Sequence, residues 1–241
     1  MYSIIADTHT HTTACDHAFS ILSENVASAG KAGLKALALT EHGPKLTGSP
    51  SFIHFHNLRV LPRYMNDILL LRGAEVNIVD FSGALDLEDE IIAKLEWVIA
   101  SFHMPVIKPG TVKDHTEAWI KIANNPHIDV IGHCGSPRYP FEHEPVIKEI
   151  AGTGKIVEIN NNSFLERPGS GTNCKAIAVL CAEYGVPVVL NSDAHYCEHI
   201  GKVDGAVKIL NEIGFPEELV LNADYDRFIA AVNKINGKPL D

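Results

Sequence analysis

The sequence predicts an α/β fold in which about seven strand–helix units surround a parallel sheet. Short apolar runs rich in β-branched residues alternate along the chain with longer amphipathic stretches. Most of the short runs are apolar on both faces, as is typical of strands covered by helices. No GxGxxG or Walker sequence is present, so a doubly wound dinucleotide-binding sheet is a weaker interpretation than a barrel. The variable spacing of the units predicts that the barrel is irregular.

Each unit of the predicted barrel consists of one strand followed by one helix. The predicted strands are residues 3–6, 36–40, 69–75, 97–101, 130–132, 155–159 and 187–191. The predicted helices are about residues 20–32, 54–66, 88–95, 114–125, 143–152, 173–184 and 200–213. Residues 219–222 are expected to add a short edge element, and the amphipathic stretch 225–235 is expected to pack across the body of the barrel.

Length and composition favour one domain. The chain has 241 residues, of which 46% are hydrophobic, and no Ser/Gly/Pro-rich linker or block of charge divides it. We therefore expect residues 1–241 to form a single domain. No apolar run approaches the roughly 20 residues of a membrane span, and the N-terminus lacks the pattern of a signal peptide, so we expect a soluble protein without a membrane partner.

Cysteine usage and charge restrict the compartment and the partners. The five cysteines form no CxxC pair, which argues against a disulfide framework and favours a cytoplasmic location. The net charge is −10, with 20 Lys+Arg against 30 Asp+Glu. Because no basic stripe is visible, we expect no long nucleic acid as a partner. The sequence leaves open whether the chain forms a homo-oligomer.

The thirteen histidines are the compositional feature that points to a function. His9 and His11 follow the first predicted strand, in the run Asp7-Thr8-His9-Thr10-His11. Side chains at i and i+2 of an extended chain point the same way, so these two imidazoles are expected to project side by side. An isolated pair of this kind more often has one histidine against the core and the other in solvent, but the other strand ends reverse that expectation.

The other strand ends supply the same types of residue. They are His17 in the first loop, His42, Glu75, His103, His133, Asp193 and His195. In a parallel barrel the residues that end the strands gather at one face. Together with His9 and His11 this set is too large for one ion and sufficient for two or three. Mostly imidazole ligands suit zinc or another first-row metal, and few ligands per ion leave positions open for substrate.

The ligand charges indicate the class of substrate. Three divalent ions carry six positive charges, whereas only Glu75 and Asp193 among the candidate ligands are anionic. The cluster therefore stays positive inside an acidic protein, which suits an anionic substrate such as a phosphate ester. Cys15 and Cys134 also lie near candidate ligands, but we expect them to be small buried residues.

The motifs at these positions resemble those of PHP (polymerase and histidinol phosphatase) phosphoesterases. They are DxHxH at 7–11, EH at 41–42, GxE at 73–75, FHxP at 102–105, GH at 132–133 and SDxH at 192–195. The sequences HAFS at 17–20 and EINN at 158–161, with the stretch 57–63, resemble the YcdX-type phosphatase branch. The resemblance covers most of the chain, in order and at compatible spacing. It implies a distorted (β/α)7 barrel of the PHP (TIM-barrel-like) type with a trinuclear metal site.

The resemblance also implies how the ligands are divided among the ions. One ion would be held by His9, His11, Glu75 and Asp193. Glu75 would bridge to a second ion, which His103 and His133 also bind, and the third would be held by His17, His42 and His195. The implied cofactor is Zn²⁺, up to three per chain, with Mn²⁺ or Fe²⁺ as alternatives. Asp7 and Glu41 are expected to stand behind the ligands, with Asp7 orienting a ligand histidine.

The implied activity is that of a metal-dependent phosphatase, in which a metal-activated hydroxide cleaves a small phosphomonoester and Glu75 and Asp193 act through the bound metals. A phosphodiesterase or exonuclease of the PHP type is the main alternative, and a non-catalytic zinc-binding protein is a third interpretation. Arg138, close after His133, is a candidate phosphate contact. Arg59 and Arg63 are expected to share one face of the helix predicted over 54–66, above the mouth of the site.

Four histidines have no setting typical of a ligand and are expected at the surface. They are His115, His127, His143 and His199.

Overall fold

The computed structural model describes residues 2–237 and 239–240 and shows, within them, a nearly closed barrel of parallel strands with helices outside it. The strands are β1 (Ala6–Asp7), β2 (Ala36–Leu39), β3 (Tyr64–Met65), β4 (Ile68–Asn77), β5 (Trp97–Ser101), β6 (Val130–Ile131), β7 (Ile156–Asn160) and β8 (Val188–Asn191). The sheet order is β1-β2-β4-β5-β6-β7-β8, and these strands are all parallel. The predicted distorted (β/α)7 barrel is confirmed.

The helices lie between the strands, largely where the sequence predicts them. They are α1 (Leu22–Lys31), α2 (Phe52–Asn57), α3 (Asp89–Ile92), α4 (Val112–Ala123), α5 (His143–Thr153), α6 (Ser163–Glu166), α7 (Ser170–Tyr184), α8 (Asp204–Ile213) and α9 (Tyr225–Asn236). The short helix α6 was not predicted. Within the described part of the chain, no helix has the length and apolar character needed to cross a membrane.

The helix predicted over residues 54–66 is wrong in its second half. Helix α2 ends at Asn57, a 3₁₀ turn follows, and the chain then forms β3, which pairs antiparallel with β4. Pro62 disfavours helical backbone in the residue before it. Asn66 and Asp67 have φ angles of 49° and 64°, which gives the two-residue turn of a tight hairpin.

The polar side chain of Asn222 closes the barrel between β1 and β8. Its amide nitrogen donates to the carbonyl oxygens of Ala6 (2.9 Å) and Leu190 (2.7 Å), and its Oδ1 accepts from the Leu190 N–H (3.0 Å). Nearer the carboxyl ends, Thr10 and Ala194 form a parallel bridge. The edge element predicted at 219–222 therefore contributes chiefly a 3₁₀ turn, Leu221–Ala223, that inserts a side chain between two strands.

The inside of the barrel is apolar at one end and polar at the other. On the inward face of β4, Leu69 and Leu71 belong to the apolar cluster that also contains Trp97 and Phe228 of α9. The rings of Trp97 and Phe228 lie 5.9 Å apart, and burial of one such side chain is worth about 2–3 kcal/mol. Helix α9 thus seals the end where the strands begin. Glu75, on the same face of β4 as Leu71, lies at the opposite, carboxyl end.

Candidate metal centre

Nine side chains that could act as metal ligands converge at the carboxyl ends of the strands. They are His9, His11, His17, His42, Glu75, His103, His133, Asp193 and His195. Most are buried, whereas the His17 side chain is 44% exposed. The structure therefore brings all nine residues of the predicted ligand set together.

Glu75 lies at the centre of this cluster and is fully buried. Its Oε1 is 2.9 Å from His133 Nε2 and 3.4 Å from His103 Nε2. Its Oε2 is 2.6 Å from His42 Nδ1 and 3.2 Å from His9 Nε2. The two carboxylate oxygens thus face different sets of imidazoles, so this one side chain joins two parts of the cluster.

Asp193 occupies the other side of the cluster. Its Oδ1 lies 3.2 Å from His11 Nε2, 3.5 Å from His9 Nε2 and 3.6 Å from His195 Nδ1. Asp193 and His133 have φ angles of 55° and 24°. Residues other than glycine seldom adopt positive φ, and such strain persists mainly where functional geometry requires it.

Three further imidazoles lie at the outer part of the cluster, and two of them stack on His11. The ring centroids of His42 and His195 each lie 4.2 Å from that of His11. The His17 ring lies 5.1 Å from His42 and 4.9 Å from His195. His17, the most exposed of the set, therefore stands beside the two histidines with which it was expected to share an ion.

The buried polar atoms of the cluster fit bound cations. Atoms that are buried and have no hydrogen-bond partner among the described residues are His9 Nε2, His11 Nδ1 and Nε2, His42 Nδ1, Glu75 Oε2 and Asp193 Oδ1. Of these atoms, Glu75 Oε2 and His42 Nδ1 lie only 2.6 Å apart. A buried unsatisfied polar group costs about 1–3 kcal/mol, so cations that these atoms could bind would remove a large penalty.

The spacing of these atoms also suits metal coordination. Ligand atoms of His11, His42 and His195 lie within 4.8 Å of one another, and so do those of His9, His11 and Asp193. A third such group contains His42, Glu75 and His103. A mixed imidazole and carboxylate donor set of this kind suits divalent first-row metals.

The electrostatics of the cluster lower the pKa values of its two carboxyl groups and so favour the ionised form that binds metals. Burial alone would raise the pKa of Glu75, but chiefly the charges of His9 and His103 hold it well below its usual range. The pKa of Asp193 is likewise held well below its usual value, against burial, chiefly by the charge of His9. Both carboxyl groups are therefore ionised at neutral pH.

The imidazoles differ in protonation. Burial lowers the pKa of His11 well below its usual value and that of His42 to about 4, so both are neutral at pH 7. At His9, by contrast, the charges of Glu158 and Glu75 outweigh the effect of burial and raise the pKa well above its usual value. Since a metal binds only the unprotonated nitrogen, metal binding at His9 would release a proton.

Glu158 orients His9, a role that the sequence analysis missed. Its Oε1 lies 2.7 Å from His9 Nδ1 and accepts from the Asn191 side chain, and its Oε2 accepts from the backbone N–H of His133. A carboxylate on Nδ1 leaves Nε2 directed at the cluster. Glu158 and Asn160 alternate with Ile159 at the end of β7, so the period of the strand was a usable signal.

Asn77 plays the corresponding part for His103. Its Oδ1 lies 2.7 Å from His103 Nδ1, and its amide nitrogen donates to Asp86 Oδ2 (2.5 Å) and to the carbonyl oxygen of Gly43 (3.0 Å). Asn77 was also missed. It lies two residues after Glu75 on the same face of β4, which is the signal that could have found it.

Asp7 supports a loop and does not contact a ligand histidine by hydrogen bonding within the described residues. It accepts hydrogen bonds from the Ser192 backbone N–H (3.2 Å) and hydroxyl and from the Gly201 N–H (2.8 Å). It therefore fixes the segment that carries Asp193 and His195. The prediction that Asp7 orients a ligand histidine is wrong: its hydrogen-bond partners are Ser192 and Gly201 instead. The reason is that the fold places the loop after β8 against the end of β1.

Glu41 lies behind His11. Its Oε2 is 3.9 Å from His11 Nδ1 and accepts from the Cys15 thiol (3.0 Å), while its Oε1 accepts from the Thr12 N–H and hydroxyl. Burial raises the pKa of the Cys15 thiol, so that Cys15 acts here as a donor. An orienting role of Glu41 stays a prediction.

A cleft of about 500 Å³ opens above the cluster. Its lining residues are His17, His42, Leu46, Thr47, His103, Pro105, Arg138, Glu166, Arg167, Asp193 and His195. Arg138 thus lies where a substrate contact was predicted. Arg167 was missed because it follows the unpredicted helix α6. Its Nη1 donates to Ser163 Oγ (3.0 Å) and lies 3.9 Å from Asp193 Oδ2.

Arg59 and Arg63 do not reach the cleft, and their prediction as substrate contacts is wrong. Arg63 pairs with Glu96 through two short contacts of 2.6 and 2.8 Å. Glu96 precedes β5, whereas His103 follows it, so the two ends are separated by roughly 17 Å. Arg59 is exposed on the 3₁₀ turn and does not line the cleft. The two arginines share no helix face because α2 ends before them.

His115, expected at the surface, is fully buried. Its Nδ1 donates to the Pro140 carbonyl oxygen (2.8 Å), and its Nε2 accepts from the Gly110 N–H (2.8 Å). His115, Trp119 and Ile122 lie on the buried face of α4. Their spacing of four and three residues was therefore a signal that this histidine faces the core.

Comparison with known proteins places this site in a family. The PHP domain model matches residues 7–166. A probable phosphatase of Clostridium novyi is 43% identical over 238 residues, which cover 98% of this chain and 97% of the relative. A probable phosphatase of Clostridium botulinum is 42% identical over 225 residues, covering 93% of each chain.

Two solved structures share the fold. Histidinol phosphate phosphatase of Lactococcus lactis, in complex with Zn, L-histidinol and phosphate, gives a TM-score of 0.63 at 18% identity and covers 88% of this chain and 94% of its own. A chain of archaeal ribonuclease P with mature tRNA gives 0.59 at 12% identity, covering 96% and 90%. At these identities the likeness concerns the fold alone. The family model and the relatives above 40% identity show that the chain belongs to the PHP domain family.

Proposed function

We propose that this protein is a metal-dependent phosphatase that hydrolyses a small phosphomonoester. The observation that carries the proposal is the set of buried, unpartnered nitrogen and oxygen atoms beneath an open cleft. A structural metal site is normally closed by its protein ligands, whereas a catalytic one keeps positions open. The relatives named probable phosphatase support the same conclusion.

The ligands divide among three ions in this proposal. His9, His11 and Asp193 would hold one ion, and Glu75 would contribute to this ion and to a second. His103 and His133 would also hold the second ion, and His17, His42 and His195 would hold the third. When bound, divalent ions would supply Lewis acidity toward the phosphoryl oxygens and activate water for attack on phosphorus.

The residues of the chain provide orientation and charge. Glu158 and Asn77 fix the rings of His9 and His103, so their Nε2 atoms stay directed at the cluster. Arg167, held by Ser163 beside Asp193, is the cation best placed to bind a phosphoryl oxygen through its planar fork of N–H donors. Arg138 provides a second substrate contact at the mouth.

The composition supports zinc and a cytoplasmic location. Imidazole is a preferred ligand of zinc, while the carboxylates keep Mn²⁺ and Fe²⁺ as alternatives. All five cysteines lie in the described part of the chain and are free thiols, as is typical of proteins in reducing compartments. The zinc in the structure of the Lactococcus lactis phosphatase gives further support to the choice of metal.

A phosphodiesterase or exonuclease is the second candidate function. The net charge of −10 weighs against a long nucleic acid, because such proteins need cationic surface to neutralise the phosphates. A short oligonucleotide end would still fit the open cleft. The choice between monoester and diester therefore requires an activity measurement.

The test compares two chromogenic substrates on protein loaded with Zn²⁺ or Mn²⁺. We expect hydrolysis of p-nitrophenyl phosphate to exceed that of bis(p-nitrophenyl) phosphate. Asp193→Asn should lose most of the activity, whereas Glu117→Gln on the exposed face of α4 should keep it. Activity on the diester alone would favour the exonuclease. A fully metallated protein that hydrolyses no phosphorylated compound in a broad screen would favour a non-catalytic zinc-binding protein.

A further inference from the structure

The outer part of the cleft carries two charged side chains of opposite sign. Arg138 lies in the loop after β6, and Glu166 ends α6; both side chains are exposed and line the cleft. Neither forms an ion pair or a side-chain hydrogen bond within residues 2–237 and 239–240. Arg167, in contrast, is engaged by Ser163 and Asp193.

The three charged side chains lie at different depths in the cleft, so we expect them to contact different parts of the substrate. Arg167 contacts the metal-ligand side chain Asp193, so it belongs to the floor of the cleft, where the phosphoryl group must lie. Arg138 and Glu166 have no contact with the cluster and stand at the mouth, where the leaving group of a phosphomonoester would lie. Opposite charges that share a cleft without pairing to each other offer complementary contacts to a ligand that carries both signs.

We propose that the substrate is the phosphomonoester of a zwitterionic alcohol, with its ammonium group against Glu166 and its carboxylate against Arg138. The inference rests on the proposed phosphatase activity and adds the class of leaving group to it. Water attacks phosphorus, the bond from phosphorus to the alcohol oxygen breaks, and the alcohol takes up a proton. Neither Arg138 nor Glu166 takes part in that exchange, so both act on specificity.

The cleft is suitable in size and in charge for such a molecule. Its volume of about 500 Å³ lies in the range of small-molecule sites. A guanidinium binds a carboxylate through two parallel N–H donors, and charge-assisted hydrogen bonds of this kind are about twice as strong as neutral ones. We therefore expect each of the two contacts to change kcat/KM roughly tenfold, mostly through KM.

Four phosphomonoesters distinguish the contact of Glu166 with an ammonium group from that of Arg138 with a carboxylate; they are the probes of this test. O-phospho-L-serine carries both the ammonium and the carboxylate, phosphoethanolamine only the ammonium, 3-(phosphonooxy)propanoate only the carboxylate, and propyl phosphate neither. Each is assayed on the metal-loaded wild type, Glu166→Gln, Arg138→Gln and the double variant. Arg59→Gln and Glu117→Gln are matched controls, since both of these residues are exposed and lie outside the cleft.

We expect the wild type to prefer O-phospho-L-serine over propyl phosphate by roughly a hundredfold in kcat/KM, the product of two tenfold contacts. Glu166→Gln should remove the advantage of the two ammonium compounds, and Arg138→Gln that of the two carboxylates. The rate on propyl phosphate, which offers neither charged group, should change least in each variant. In the two controls all four rates should match the wild type.

Other outcomes overturn the inference. Equal wild-type rates on all four probes, or variants that lower all four rates in the same proportion, would show that Arg138 and Glu166 do not read the leaving group, while the phosphatase proposal would stand. If the wild type had the same kcat/KM for phosphoethanolamine as for O-phospho-L-serine, the proposed contact between Arg138 and the carboxylate would be wrong. If the metal-loaded wild type hydrolysed none of the four probes, including propyl phosphate, the proposed function itself would fail and this inference with it.

Discussion

Glu158 Oε1 lies 2.7 Å from Nδ1 of His9, and both side chains are buried. The same carboxylate accepts the backbone N–H of His133 through its other oxygen. One side chain that binds no substrate thus fixes an imidazole on β1 and the strained backbone that follows β6. The positions of the candidate ligands therefore depend on Glu158, a residue behind them, as well as on the candidate ligands themselves.

We predict that Glu158→Gln lowers metal affinity and activity by about 10–100-fold. The amide keeps the size of the side chain but loses the charge that holds His9. Metal affinity is measured by competition with a chromophoric chelator, alongside activity at saturating metal. Glu117→Gln, which removes an exposed carboxylate on α4, is the control. An unchanged affinity in Glu158→Gln would show that His9 needs no anionic partner.

Glu75→Gln should lose metal and most activity. Because each carboxylate oxygen of Glu75 faces at least two imidazoles, a neutral amide cannot serve both sides of the cluster. Loss of one ion removes several kcal/mol of transition-state stabilisation, which corresponds to a fall of roughly 10³-fold in rate. Metal content and kcat are measured together on folded protein. If the variant kept its full metal content and rate, Glu75 would not be a bridge.

Stability should depend on pH through Asp129, at the end of the barrel opposite the candidate metal site. Burial raises the pKa of Asp129 to about 7, although the Val98 N–H and Lys155 act in the other direction. Because the folded state holds this proton more tightly than the unfolded one, the contribution of Asp129 to stability falls as pH rises from about 4 to 7. An uncharged residue at this position avoids that loss.

Asp129→Asn should therefore stabilise the protein more at pH 8 than at pH 5. The amide oxygen of the new side chain can still accept from the Val98 N–H. We expect the gain in the free energy of unfolding at pH 8 to exceed the gain at pH 5 by on the order of 1 kcal/mol. Urea unfolding of metal-loaded protein at both pH values measures it, and effects of pH on the metal site cancel between wild type and variant. An equal gain at pH 5 and pH 8 would contradict the prediction.

His115→Ala should destabilise the fold without changing the chemistry. The substitution removes the acceptor of the Gly110 N–H and the donor to Pro140 and leaves a cavity beside Phe102 and Tyr139. A loss of about 2–4 kcal/mol in the free energy of unfolding is expected. His127→Ala, at a half-exposed position, should cost less than about 0.5 kcal/mol. Equal stability of the two variants would show that His115 is dispensable to the core.

The convergence of the candidate ligands could be predicted from sequence because their geometry is local. A strand of known direction ends at a known residue, alternate side chains share a face, and the ends of parallel strands meet. Those three rules bring His9, His11, Glu75 and Asp193 together without knowledge of any long-range contact. The barrel itself followed from the same alternation of apolar runs.

The remaining features depend on contacts that no local pattern encodes. Arg63 points away from the cleft because it pairs with Glu96, 33 residues along the chain, and because Pro62 ends the helical stretch. Arg167 enters the cleft directly after α6, whose four residues are too few to show a period. Asp7 supports a loop 185 residues away. Such partners become visible only when the barrel is closed.

The most direct test of the metal centre is the metal content of the purified chain. Protein prepared without chelator and passed through a desalting column is measured by plasma mass spectrometry against a protein concentration from amino-acid analysis. We predict about three divalent ions per chain, and at least one fewer in Glu75→Gln. One ion or none in a chain that circular dichroism shows to be folded would contradict the trinuclear centre, and the proposed phosphatase mechanism would lose its basis.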